Sequence, residues 1–191
     1  MHSVFSFECF PKFEVEGYRL RALRADDVGA LFSIGSDLEV MKYNDDPMVE
    51  MEEAVKRFEM HELEFKEKRS IRWGIARKED DRLVGTVLMY KLSRKFASAE
   101  IGFELAKEFW GRGVMTEVLE QVVQFGFEEL ALNRLEASFA TENVGSRRVL
   151  EKNGFVYEGT LRDKWYMNGR YWDGVVMGLL RKDYLAWKDG R

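Results

Sequence analysis

FWGRGVMTE, Phe109 to Glu117, follows the alternating segment SAEIGFEL, Ser98 to Leu105, and opens a strongly amphipathic stretch. A strand that ends in a glycine-bearing turn and feeds a helix gathers backbone N–H groups without intrahelical partners. With the positive end of the helix dipole, such donors suit a phosphate or pyrophosphate. Gly111 and Gly113 let the main chain approach such oxygens, and Arg112 adds charge at the rim. On these residues alone, a glycine turn that merely connects strand to helix stays open.

Outward from this stretch, the pattern predicts a helix over Thr116 to Leu130, with Val118, Leu119, Val122, Phe125 and Gly126 on its core-facing stripe. Arg134 to Phe139 reads as a strand. Asn143 is placed to cap a helix reaching Asn153, and Gly154 suits the position after its end. Phe155 to Gly159, Arg162 to Met167 and Tyr171 to Leu180 read as extended, the last two joined at Asn168-Gly169, a type I′ hairpin signal. Upstream, Tyr18 to Leu23 predicts a strand, and Ala25-Asp26-Asp27 offers capping chemistry for a helix through Ile34. Met51 to Lys68 predicts a helix burying Met51, Ala54, Val55, Phe58 and Leu63. Arg72 to Arg77 and Leu83 to Leu92 read as antiparallel strands about a turn at Glu79-Asp80-Asp81. This order implies an α/β protein with a mixed sheet.

The 191 residues, 46% apolar and 34% charged, suit one domain with a full core. It is expected over 18–187, after an N-terminal extension, 1–17. A net charge of −4 argues against nucleic acid as a partner. Cys9 is the sole cysteine, and neither it nor the two histidines, His2 and His61, falls in a metal-ligand spacing. Both histidines read as incidental. MHSVFSFECFPKF lacks the basic start of a signal peptide, and no apolar run approaches the ~20 residues of a membrane helix. The expectation is a cytoplasmic protein with no membrane partner and no metal.

AEIGFEL (99–105), FWGRGVMTEVL (109–119), NRLEASFATENVGSRRVLEKNGFVYEG (133–159) and NGRYWDGVVMGLL (168–180) together resemble the GCN5-related N-acetyltransferase (GNAT) superfamily. More narrowly, they resemble its branch of ribosomal-protein N-terminal acetyltransferases, the RimJ/RimL type. The resemblance implies a mixed, mostly antiparallel central sheet with a splayed parallel strand pair and helices on both faces. It also implies transfer of an acetyl group from acetyl-CoA to a primary amine in a ternary complex. Trp110 and Met115 depart from the commonest superfamily residues there, as this branch permits.

The resemblance assigns the CoA pyrophosphate to backbone amides of Gly111, Arg112, Gly113, Val114, Met115 and Thr116, and the pantetheine amides to backbone groups of Phe103, Glu104 and Leu105. Period-two alternation puts Glu100, Gly102 and Glu104 on one strand face and Ile101, Phe103 and Leu105 on the other. An arriving ammonium group must lose a proton before it attacks. Glu100 aligns with the general base of some histone-acetylating relatives, and Glu104 is second choice; a solvated polar face stays open for both. Asn143 matches a residue that binds the pantetheine arm, against the simpler reading as an N-cap. Leu150 stands where many members carry a tyrosine that protonates the leaving thiolate, and Ser146 matches a serine proposed for that role in this branch. A thiol of ordinary pKa, about 8.5, needs little acid help.

For the acceptor, Tyr43-Asn44-Asp45-Asp46 lies where relatives build one wall of a groove, with Asp45 and Asp46 either attracting a cationic amine or forming an exposed acidic loop. The hairpin YMNGRY (166–171) is the candidate opposite wall, its aromatics packing on a peptide or covering core. The favoured acceptor is a protein or peptide N-terminus. A small polyamine-like amine and a non-catalytic acyl-CoA-binding module are the alternatives, and a homodimer is an admissible assembly.

Overall fold

The computed structural model describes residues 9–189, so His2 and most of the segment read for a signal peptide lie outside it. Eight strands form one sheet in the order β1-β2-β3-β4-β5-β6-β8-β7. They are β1 (Phe13–Val15), β2 (Tyr18–Ala22), β3 (Ile71–Arg77), β4 (Leu83–Ser93), β5 (Ser98–Leu105), β6 (Arg134–Ala140), β7 (Val156–Met167) and β8 (Arg170–Leu180). The α-helices are α1 (Val28–Gly35), α2 (Leu38–Met41), α3 (Met51–Lys66), α4 (Val114–Glu128), α5 (Val144–Lys152) and α6 (Arg181–Asp189). Strand β1 pairs with β2, so part of the segment read as an N-terminal extension belongs to the sheet. Too short to show periodicity, β1 and α2 were invisible in the sequence.

Only β5 and β6 run parallel, and their register ends at Ile101 opposite Ala137. Beyond that point β5 continues against β4, with Val87, Thr86 and Gly85 opposite Phe103, Glu104 and Leu105. Meanwhile β6 continues against β8 as far as Ala140 opposite Gly174. The two parallel strands therefore part midway, and the β6-facing edge of residues 102–105 has no strand beside it.

Alternation along the strands divides the packing. Ile71, Trp73, Ile75, Val87, Met89 and Ile101 share the main core with Val118, Leu119 and Val122 of α4. A second cluster, Leu31, Met48, Ala54 and Leu83, belongs to α1 and α3. The intervening strand residues, Arg72, Thr86 and Glu104 among them, face the α3 side.

Three expectations change. Helix α3 buries Ala54 and His61 and leaves Met51, Val55 and Leu63 exposed; its inner stripe runs Ala54, Phe58, His61, Phe65. That spacing is as helical as the expected one, and packing against β3 and α1 chose between them. Asp27 does not cap α1 from the position directly before it. Its carboxylate instead reaches back to accept from the Arg24 N–H at 2.8 Å, a capping-box bond for the 3-10 turn Ala25–Asp27 that leads into α1, and takes two bonds from Arg21 at 2.7 and 2.9 Å. Finally, the two C-terminal segments before the hairpin are one strand, β7, with register shifts near Gly159 and between Leu161 and Trp165. Asn168 and Gly169 have φ of 52° and 74°, as a type I′ turn demands.

Candidate active site

The glycine turn has the form its sequence suggested. Gly111 and Gly113 have φ of 71° and 83°, backbone that favours glycine. Nothing lies within 4 Å of where a Cβ on Gly111 would stand. Gly113 is the N-cap of α4 and provides no side chain to occupy the first amides. The N–H groups of Val114 and Met115 thus start the helix without intrahelical acceptors. Thr116 differs, since its N–H donates to the Gly113 carbonyl at 2.9 Å. The Arg112 guanidinium lies 5.7 Å from the Phe109 ring centroid, at the rim. Trp110 ties the turn to the sheet: its indole N–H donates to the Leu105 carbonyl at 2.7 Å. That carbonyl is therefore engaged, and because the Ala106 N–H donates to the Val84 carbonyl, alternation turns the main-chain groups of Glu104 to β4 and leaves Phe103 as the available main-chain partner on the open edge.

At the divergence of β5 and β6 lies a cavity of about 440 Å³. Gly102, Phe103 and Glu104 line it from β5, Ser138 and Phe139 from β6, and Asn143, Ser146 and Leu150 from the α5 region. Asn143 is the N-cap of α5, its Oδ1 accepting from the Ser146 N–H at 3.0 Å, so the capping role is present and its side-chain N–H₂ is not used in it. Asn153, 2% exposed, joins α5 to α4 by donating to the carbonyls of Thr116 (3.3 Å) and Val149 (2.9 Å).

The two glutamates differ in placement. Glu104 lines the cavity, with a side chain 9% exposed. Its Oε1 accepts from the Thr86 hydroxyl at 3.1 Å and from Arg72 at 3.4 Å, and Arg57 stands 3.8 Å from Oε2. Glu100 shares that strand face but is not among the cavity-lining residues. It accepts from Lys91 at 2.8 Å, and beside it burial and its charge hold the Tyr90 hydroxyl above the ordinary tyrosine range. Period-two reasoning gave the shared face but could not say where along the strand the cavity opens.

Tyr43, Asn44 and Asp45 form part of the wall. Asp46 instead accepts from the Asn168 N–H at 3.0 Å, linking this loop to the β7–β8 hairpin. From the hairpin, Trp165 and Met167 face the cavity, whereas Tyr166 and Tyr171 are 65% and 64% exposed and pack on each other. The expected hairpin aromatics therefore point outward. Missed by sequence reasoning were Arg57, His61 and Arg72, which line the α3 side of the cavity. Charge alone marked the arginines as surface residues, and only the Ala54–Phe58–His61 spacing could have signalled the histidine. Among the described residues, no group of three or more His, Cys, Asp or Glu side chains is placed to hold a metal ion.

An open strand edge, two left-handed glycines and a helix start free of a capping side chain define an acyl-CoA-dependent transferase of the GNAT type. A family profile described as Acetyltransferase (GNAT) domain matches residues 18–156, and the chain belongs to that family. It is 37% identical over 173 residues to the uncharacterized N-acetyltransferase YoaA of Bacillus subtilis (strain 168), covering 90% of this chain and 98% of YoaA. The crystal structure of spermidine N-acetyltransferase from Vibrio cholerae, in complex with CoA and spermine, superposes with a TM-score of 0.79 at 25% identity, over 90% of this chain and 99% of that one. RimL, a ribosomal L7/L12 α-N-protein acetyltransferase in complex with coenzyme A, shares the fold with a TM-score of 0.80 at 21% identity, over 87% and 95% of the two chains. The chain is an N-acetyltransferase that uses acetyl-CoA.

Proposed function

We propose that the acceptor is the N-terminal α-amine of a protein or peptide. The observation that carries this reading is the charge of the cavity wall. Two carboxylates, Asp45 and Glu104, are matched by two guanidiniums, Arg57 and Arg72. A site selecting a polyamine by charge needs carboxylates in excess, and here Glu104 already faces both arginines. An α-amine carries a single positive charge, and with an ordinary pKa near 8 about one-tenth of it is neutral at pH 7.

The chain's own groups fit the co-substrate. Amides at Arg112 to Met115 would hold the pyrophosphate, and the open edge at Phe103 together with Asn143 the pantetheine arm. Bound acetyl-CoA supplies a thioester carbonyl. As the amine nitrogen bonds to that carbon, the C–S bond breaks, CoA leaves as thiolate, and the nitrogen gives up one proton. Within this reading Glu104 takes that proton in preference to Glu100, because it lines the cavity. In the same reading Ser146, which lines the cavity, donates a proton toward the departing sulfur.

The test is thiol release from acetyl-CoA with a panel of N-terminal peptides, a polyamine panel and no acceptor. Turnover on peptides at a kcat/KM well above that on polyamines is expected. Turnover confined to polyamines overturns the acceptor assignment, and CoA binding without turnover on any amine assigns a binding module instead.

A further inference from the structure

His61 was read as an incidental residue of a charged helix, yet it lines the cavity and is 7% exposed. Neither ring nitrogen has a hydrogen-bond partner. The nearest carboxylate, Glu64, stands 3.7 Å from Nδ1 and accepts from the Ser70 hydroxyl at 2.7 Å. On β3, Arg72 donates one terminal nitrogen to Thr86 Oγ1 at 2.7 Å and approaches Glu104 at 3.4 Å, while its Nε is buried without a partner. Arg57 reaches Glu104 only at 3.8 Å.

Buried polar groups are almost always satisfied, and each one left unmade costs its desolvation. At the α3 end of this cavity two N–H donors, one from Arg72 and one from the imidazole, lack acceptors. Glu104, the carboxylate that Arg57 and Arg72 face, is taken by Thr86 and those arginines, and Glu64, which does not line the cavity, accepts from Ser70. The missing element is an oxygen acceptor that enters through the cavity, and beside Arg57 and Arg72 an anionic oxygen fits best. The imidazole, neutral because burial and the two arginines hold its pKa at about 3, keeps one nitrogen free to accept a hydrogen from the same molecule.

We propose that His61, Arg72 and Arg57 form a specificity subsite for a carboxylate carried by the acceptor amine. This deepens the reading of the acceptor above, and rests on it. Two sources share this chemistry: a peptide whose first residues include Asp or Glu, and a free amino acid.

The experiment compares peptides with Asp or Glu at the first or second position against their Asn and Gln counterparts, with free amino acids, their amides and spermidine alongside. For the wild-type protein, kcat/KM should favour the acid over its amide by about tenfold or more, the discrimination of one hydrogen bond to a charged group. Arg72→Gln and His61→Leu should each reduce that ratio toward one, and CoA affinity and melting temperature, measured on the same preparations, identify a variant that has not folded. Should Arg72→Gln fail to fold, the wild-type ratio and His61→Leu still decide. Preference for acidic peptides, or for free amino acids over their amides, supports the subsite and names its source. Peptides acetylated without acid–amide discrimination would overturn the subsite alone. Spermidine acetylated with no peptide or amino acid turned over would overturn both the subsite and the α-amine reading.

Discussion

Replacing Gly113 with aspartate puts two separable effects on one atom position. Gly113 has φ of 83° and ψ of −13°, a left-handed conformation that costs a residue with a Cβ about 1–2 kcal/mol. Space is not the issue, since the added Cβ would meet only Glu117 Oε1, at 3.9 Å. A Gly113→Ala control therefore isolates backbone strain, with an expected stability loss of about 1 kcal/mol and little change in CoA affinity. Aspartate adds a carboxylate beside the amides of Val114 and Met115. A unit charge about 5 Å from a phosphate oxygen opposes it by about 1–3 kcal/mol for an effective dielectric between about 80 and 20. That corresponds to about 5- to 150-fold in Kd. Titration calorimetry with CoA on wild type, Gly113→Ala and Gly113→Asp, paired with thermal melts, separates the effects. Unchanged affinity in Gly113→Asp, in a protein that melts like the alanine control, would remove the pyrophosphate from residues 111–116 and with it the cofactor geometry.

Glu104→Gln should lower kcat by tenfold or more near neutral pH, with a smaller loss at high pH where the amine arrives neutral, while Glu100→Gln stays within about threefold; the reverse order in a thiol-release assay would restore Glu100 as the base. His61 has a folded pKa of about 3 against an ordinary 6.5, so below about pH 6.5 the unfolded chain binds a proton that the folded chain does not. Stability is then complete above pH 6.5 and falls as pH drops toward 3, with a slope approaching 1.4 kcal/mol per pH unit. Urea melts across that range should show a shallower slope for His61→Leu, and identical slopes would contradict the burial of a neutral imidazole. Asn153→Ala removes the bond to Thr116 that ties the end of α5 to α4, together with the bond to Val149 within α5, and should cost about 1–3 kcal/mol; a loss below about 0.5 kcal/mol in denaturant melts would show that the tie is dispensable.

Local chemistry was written in the sequence. The left-handed glycines at 111 and 113, the Asn143 cap, the Asn168-Gly169 turn and the alternation of β5 each depend on a few consecutive residues, whose sterics and hydrogen bonds are nearly independent of the rest of the chain. The α4 stripe was equally legible, because Val118, Leu119, Val122, Phe125 and Gly126 are all buried, as their spacing predicted. Joined in order, these pieces also carried the family resemblance. What tertiary structure alone decided was which of several locally equivalent choices faces the cavity: His61 and not Leu63 on α3, Glu104 and not Glu100 on β5, Trp165 and Met167 and not the hairpin tyrosines. Each choice follows from where β5 leaves β6 and where α3 lies on β3, contacts between segments tens of residues apart. A helical or strand period fixes which residues share a face, but leaves open which part of that face another segment will cover.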